Sequence, residues 1–307
     1  MALAVLELKQ VSKFYGDYPA VQDLSFSVPA GCLFGFLGPN GAGKTTSLRM
    51  ILDILRPTSG SITILGADSA ARVRDRLGYL PEEKGLYKKM KAWAVIAYFA
   101  TLKGVPTAAA KKRAHALLER HGLGQFAEAR TEALSKGMAQ KVQVLASIAH
   151  DPELVILDEP FSGLDPVNQG VLEELVLDLK ARGRTVIFST HVMQHAERLC
   201  DHLLVMARGR KCFEGSVDDA RRLLAPRVQL RARGDLAPLR TLPGIDALSE
   251  LTPGEWEVRL RPGTDPQSVL AGCFTLGLPL TSFEATRPSL HDVFVHLVGA
   301  EAREAGR

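Results

Sequence analysis

Residues 38–45 read Gly-Pro-Asn-Gly-Ala-Gly-Lys-Thr, a full match to the G-x-x-x-x-G-K-[ST] pattern. The run Cys32–Leu37 before it (CLFGFL) is continuously apolar, as a buried strand is. After it a helical pattern runs from Lys44 to about Leu55 and stops at the turn cluster Pro57-Thr58-Ser59-Gly60. A strand, a glycine-rich turn and a helix N-terminus in that order make an anion cradle. Glycines let successive backbone N–H groups converge on phosphate oxygens, and the helix end adds its positive dipole. The spacing predicts that Gly38, Pro39, Asn40, Gly41, Ala42, Gly43, Lys44, Thr45 and Thr46 surround a nucleotide phosphate chain. Lys44 neutralises the terminal phosphates, and the Thr45 hydroxyl sits on Mg2+.

A second acidic signal follows. Leu154–Glu159 (LVILDE) is an apolar strand ending in two carboxylates. An open α/β sheet places its ligands at the carboxyl ends of its strands, so Asp158 is the expected metal-shell residue. Glu159 is then placed to act as general base on an attacking water.

The remaining pattern is that of an α/β protein. Leu6–Leu8 and Leu24–Val28 alternate like strands of a half-exposed antiparallel layer. Ser61–Leu65, Leu77–Leu80, Leu154–Leu157 and Thr185–Ser189 read as strands, and Val171–Ala181 as a helix. Leu203–Met206 and Lys211–Phe213 flank Arg208-Gly209, which predicts a hairpin. From about 84 to 149 the chain turns helical, a predicted subdomain. The character changes near Ala225–Pro226, so residues 225–307 are expected to form a small α+β domain after a nucleotide-binding domain over 1–224. In that second domain Val228–Arg231, Trp256–Leu260 and Leu280–Ala285 read as strands and Pro266–Leu276 as a helix. A final helix over Ser289–Val298 opens on a capping box of Ser289 and Asp292.

Composition narrows the partners. Among 307 residues, 38 Lys and Arg face 34 Asp and Glu, too even a balance for nucleic acid. The run Lys111-Lys112-Arg113 reads as a solvated helix face. No stretch reaches the ~18–20 apolar residues of a spanning helix; the nearest, Ala92–Leu102, is short. The first residues lack the pattern of a secretory signal. Cys32, Cys200, Cys212 and Cys273 have no paired spacing and read as free thiols of a reducing compartment.

With these residues in place, the chain resembles the nucleotide-binding domains of ATP-binding-cassette (ABC) proteins, over about residues 4–220. Leu134–Met138 (LSKGM) is similar to the family signature LSGGQ, Ser162–Asp165 (SGLD) to its D-loop, and His191 in VIFSTH to its switch histidine. Tyr15 in KFYGDYPAV resembles the aromatic that stacks on adenine, with Tyr18 as rival. The resemblance implies a P-loop cassette: a mixed sheet core with an antiparallel layer and a helical subdomain. It implies Mg2+-dependent ATP hydrolysis with His191 beside the γ-phosphate. It also implies a homodimer in which Ser135, Lys136, Gly137 and Met138 of one copy cap the nucleotide of the other. The remaining partner is a membrane permease, which puts the chain on the cytoplasmic face of the cell membrane.

Two motifs depart from the family pattern. The glutamine of the family's Q-loop aligns with Glu82 (YLPEEKGLY), which adds negative charge near the metal. In the signature, Lys136 replaces a glycine and Met138 a glutamine, while the backbone donors remain. YLPEEKGLYKKM with LSKGM, together with the tail RPSLHDVFVHLVG, resembles the sodium-efflux and drug-resistance export ATPases. The alternatives are a soluble ABC ATPase acting on ribosomes or DNA and a non-catalytic nucleotide-binding regulator. A single phosphate loop and the absence of a long heptad pattern weigh against the first. Lys44 and Glu159 weigh against the second.

Overall fold

The computed structural model describes residues 4–83, 85–232, 236–261 and 263–304. Lys84, the expected first residue of the helical subdomain, and the outermost residues of both expected domains lie outside these. The chain divides into two compact units, Met1–Glu214 and Gly215–Arg307.

The first unit opens with β1 (Ala4–Tyr15) and β2 (Tyr18–Pro29), an antiparallel pair in which Tyr15 faces Tyr18 across the turn. After β3 (Leu33–Leu37), α1 (Lys44–Ile51) and β4 (Ser59–Ile64), the order β2-β1-β4 forms the antiparallel layer expected from the alternating pattern. α1 is shorter than the periodicity predicts. Asp53 turns left-handed (φ 61), and the N–H groups of Ile54 and Leu55 both fold back onto the Arg49 carbonyl, a wrap that ends the helix.

The second sheet begins with β5 (Leu77–Leu80). The helical subdomain follows: α2 (Ala92–Leu102), α3 (Thr107–Arg120) and α4 (Lys136–Ile148). β6 (Leu154–Leu157), α5 (Pro166–Ala181), β7 (Thr185–Thr190), α6 (Met193–Leu199), β8 (His202–Ala207) and β9 (Arg210–Ser216) complete it, with strand order β5-β6-β7-β3-β8-β9. The pairings from β5 to β8 are parallel. β9 joins through Arg208-Gly209, both left-handed (φ 50 and 77), as a two-residue hairpin requires.

β3 is apolar throughout because both of its faces are covered. Phe34 and Phe36 meet Phe26 of β2 at 5.7 and 5.4 Å, which joins the antiparallel layer to the parallel sheet. Leu33 lies in the other core, with α2, α4 and α5. Burying each such ring stabilises the fold by roughly 1.5–3 kcal/mol relative to exposure. Ala92–Leu102, the most apolar segment, is spent on this core. Among the described residues no helix is long and apolar enough to cross a membrane. The 111–113 face is exposed, yet Arg113 donates to the Ala149 carbonyl at the end of α4 and Lys111 lies over the Trp93 ring. All four cysteines are free; burial, then the nearby Asp201 carboxylate, push the Cys32 thiol up to about 11.

The second unit contains α7 (Val217–Arg222), β10 (Arg227–Ala232), β11 (Ile245–Thr252), β12 (Glu255–Leu260), α8 (Pro266–Thr275), β13 (Leu280–Thr286) and α9 (Leu290–Glu304). Its sheet, β11-β12-β10-β13, packs one face into a core of Val228, Leu230, Val258, Leu260 and Val269. The unit begins at Gly215, earlier than the composition change near Ala225 suggests. α7, opened by a capping box of Ser216 and Asp219, packs on α9 and so belongs with this unit. The predicted box of Ser289 and Asp292 is present: each backbone N–H is accepted by the other's side chain, at 3.0 and 3.1 Å.

Candidate nucleotide site

The phosphate loop leaves β3 at Gly38 and enters α1 at Lys44, with Gly43 as the capping residue. Gly43 sits at φ 97, and a Cβ there would meet the Ala20 carbonyl at 2.6 Å, so only glycine fits. The Ala42 carbonyl accepts from Gly209 N–H in the β8–β9 turn, which in turn offers its own carbonyl to Gln22 of β2. The loop is thus seated between two hairpins.

A cleft of about 400 Å³ opens over it, lined by Tyr15, Tyr18, Ala20, residues 40–46, Glu82 and Glu159. This is the size range of small-ligand sites. Tyr15 and Tyr18 are both more than half exposed at its edge. Gly38 and Pro39 sit deeper: their carbonyls accept from Lys44 Nζ at 2.7 and 3.2 Å. The same ammonium lies 3.6 Å from Glu159 Oε1, with both side chains under a tenth exposed.

The carboxylates end β6 as predicted. Glu159 is left-handed (φ 46), a conformation costing a non-glycine residue about 1–2 kcal/mol. His191, just past β7, holds its carboxylate with Nδ1 at 3.0 Å from both oxygens. Asp158 is buried; its Oδ1 accepts from Ser189 Oγ at 2.5 Å, and its Oδ2 has no hydrogen-bond partner among the described residues. Tyr79 of β5 stands close by. Burial first, then the Asp158 charge, push its hydroxyl up.

Ser135 caps α4 and accepts from Met138 N–H at 3.3 Å, so the signature does open a helix. None of Ser135, Lys136, Gly137 or Met138 lines the cleft. Of the four, Gly137 faces the start of α5 just after the D-loop. Asp165, read as a loop residue, is the N-cap of α5: its Oδ1 accepts from Asn168 N–H at 3.0 Å and its Oδ2 from the Asn168 amide at 2.6 Å. Those two bonds hold its carboxyl below the usual range. Pro166 at the first helical position is the signal that places this start, ahead of the predicted Val171. Gly137 backs onto Asn168, and a Cβ on Gly137 would lie 2.5 Å from that side chain. We expect Gly137→Ala to separate signature from D-loop and to lower the ATPase rate about tenfold. The change in melting temperature is expected to be no more than a few degrees; an unchanged rate would contradict this.

Asn168 and Gln140 join the site without belonging to any of the sequence motifs, and Ser189 joins it from inside the VIFSTH run, where only His191 is given a role by the motif. Gln140 of α4 donates to the Pro160 carbonyl at 3.0 Å, a buried tie from the helical subdomain to the segment after Glu159.

A parallel sheet with a glycine-rich loop at a helix N-terminus and an acidic pair at the end of another strand, β6, defines a nucleoside-triphosphate-hydrolysing class. Residues 21–162 match the family model described as ABC transporter. Residues 215–298 match that of the ATP-binding protein DrrA1-3-like C-terminal domain. An ABC transporter ATP-binding protein of Bacillus subtilis (strain 168), YhaQ, is 40% identical over 96% of this chain and 99% of its own. The Nod factor export ATP-binding protein I of Ralstonia nicotianae is 36% identical, covering 98% and 95%. Among solved structures, an ATP-binding subunit of an ABC transporter aligns with TM-score 0.66 and 33% identity over 71% of this chain and 92% of its own. The chain belongs to the ATP-binding subunits of ABC transporters, a family of ATPases whose hydrolysis is coupled to transport.

Proposed function

We propose that this chain powers export through a separate multi-span permease, acting as a homodimer whose two nucleotide sites each draw on both copies. The observation that carries the composite site is the cleft itself. Lys44 and Glu159 converge in it, while the helix N-terminus at Ser135 stays outside its lining. An uncapped γ-phosphate there needs donors, and segment 135–137 of a second copy supplies them.

Within the site, Tyr15 stacks on the base, with Tyr18 beside it, and the loop N–H groups and Lys44 hold the phosphates. The unpartnered Asp158 Oδ2, the Thr45 hydroxyl and the carboxylate at Glu82 fit a divalent cation. Magnesium, when bound, neutralises charge on the β- and γ-oxygens. Glu159 takes the proton of the attacking water, and His191, already on its carboxylate, orients it. Loss of the γ-phosphate removes the bridge between copies, and the dimer opens.

Export is supported by the Nod factor export relative, and a permease by the solved cbiO1 of Clostridium perfringens. That protein is part of the ABC transporter complex cbiONQ and is 25% identical to this chain with TM-score 0.63. The balanced charge argues against a nucleic-acid partner. From detergent-solubilised membranes of its own host, the tagged chain is expected to co-purify with one polytopic protein in fixed ratio. Recovery with ribosomes or DNA and none with membranes would overturn this reading.

A further inference from the structure

The β6–β7 register runs Leu154↔Thr185 to Leu157↔Phe188. One step further along both strands brings Asp158 level with Ser189. Ser189 is completely buried, and its single hydroxyl does two things. It donates its proton to Asp158 Oδ1 at 2.5 Å and accepts from the Glu159 backbone N–H at 2.8 Å. Both neighbours have a special need for it. Among the described residues, the bond from Ser189 engages Asp158 Oδ1 and leaves Oδ2 as the oxygen without a partner. Glu159 is held left-handed at φ 46, and the bond to its N–H is one that this conformation keeps inside the protein.

We propose that Ser189 is a positioning residue of the hydrolytic site, fixing Asp158 as a ligand through Oδ2 and holding Glu159 in its left-handed geometry. This rests on the assignment of Asp158 to the metal shell made above. Neither an aliphatic residue nor alanine can do both jobs. Threonine can, since its hydroxyl has the same donor and acceptor capacity. Partners one step behind a metal ligand orient it, and losing them typically costs about 10- to 100-fold in metal affinity or activity.

The test is the affinity for ADP measured by calorimetry, with magnesium chloride and with EDTA. For Ser189→Ala the affinity in magnesium is expected to fall about 10- to 100-fold toward the metal-free value. The affinity in EDTA is expected to match that of the unaltered chain. Ser189→Thr restores the magnesium effect. A Ser189→Ala protein that melts earlier but keeps the full magnesium effect would make Ser189 merely structural and overturn the proposal. Should Ser189→Ala yield no folded protein, Ser189→Cys, with its weaker donor, carries the same measurement. A full magnesium effect there also overturns the proposal. Asp158→Asn separates the two readings. If it abolishes the magnesium effect while Ser189→Ala does not, the role of Ser189 fails alone. If Asp158→Asn keeps the effect, the metal assignment itself fails.

Discussion

Glu159→Gln is expected to abolish steady-state ATP hydrolysis, by roughly 10²–10⁴-fold, while leaving ATP binding intact. Glutamine preserves shape and can still contact His191, but it cannot accept a proton from water. The geometry makes this a clean substitution. Glu159 is under a tenth exposed, its backbone is fixed through Ser189, and its carboxylate is bracketed by Lys44 at 3.6 Å and His191 at 3.0 Å. Loss of the charge releases Lys44 from one contact and leaves the Gly38 and Pro39 carbonyls to hold it. A Glu159→Gln chain that hydrolyses ATP within a few-fold of the original rate would remove Glu159 from the role of base.

Lys44→Ala acts one step earlier. Its ammonium is the cation at the foot of the cleft, with the carbonyls of the loop as its partners. Truncating one partner of a buried charged contact costs about 2–5 kcal/mol, roughly 30- to several-thousand-fold in affinity. ATP affinity, measured by calorimetry, is therefore expected to fall into that range and turnover to vanish with it. The circular dichroism spectrum stays that of a folded chain, because the loop is anchored independently through Ala42, Gly209 and Gln22. Retained turnover would mean that another cation serves the phosphates.

The two substitutions differ in which step they remove, and together they separate binding from chemistry. Lys44→Ala loses the nucleotide. Glu159→Gln keeps it and loses the water attack.

Much of this site is legible from residue order because its chemistry sits at strand and helix ends. The apolar runs Cys32–Leu37 and Leu154–Leu157 fix where β3 and β6 stop, and so place Lys44, Asp158 and Glu159. The register of a parallel sheet is not written in either strand alone. That is why Ser189, in an apolar run of its own, carries no signal until β6 and β7 are side by side. Asn168 is hidden for a related reason: its cap to Asp165 is local, but Gly137 reaches it only when the helical subdomain is in place. The start of α5 is written in the Asp165-Pro166 pair, an N-cap followed by proline, but the apolar periodicity that marks a helix begins later and points to Val171 instead. Short helices such as α6 and α7 offer too few turns for a periodic signal. The boundary near Glu214 is obscured in the same way, since α7 reads as the tail of the first unit until its packing on α9 is seen.

In the proposed dimer each chain holds half of each nucleotide site. Sedimentation velocity of the Glu159→Gln chain, with and without saturating ATP and magnesium, tests it most directly. A shift from monomer to dimer with ATP is expected. The dimer is expected to be lost when Ser135→Ala and Gly137→Ala are added, although each chain still binds nucleotide. A Glu159→Gln chain that binds ATP and remains monomeric at every concentration tested would rule out the shared site.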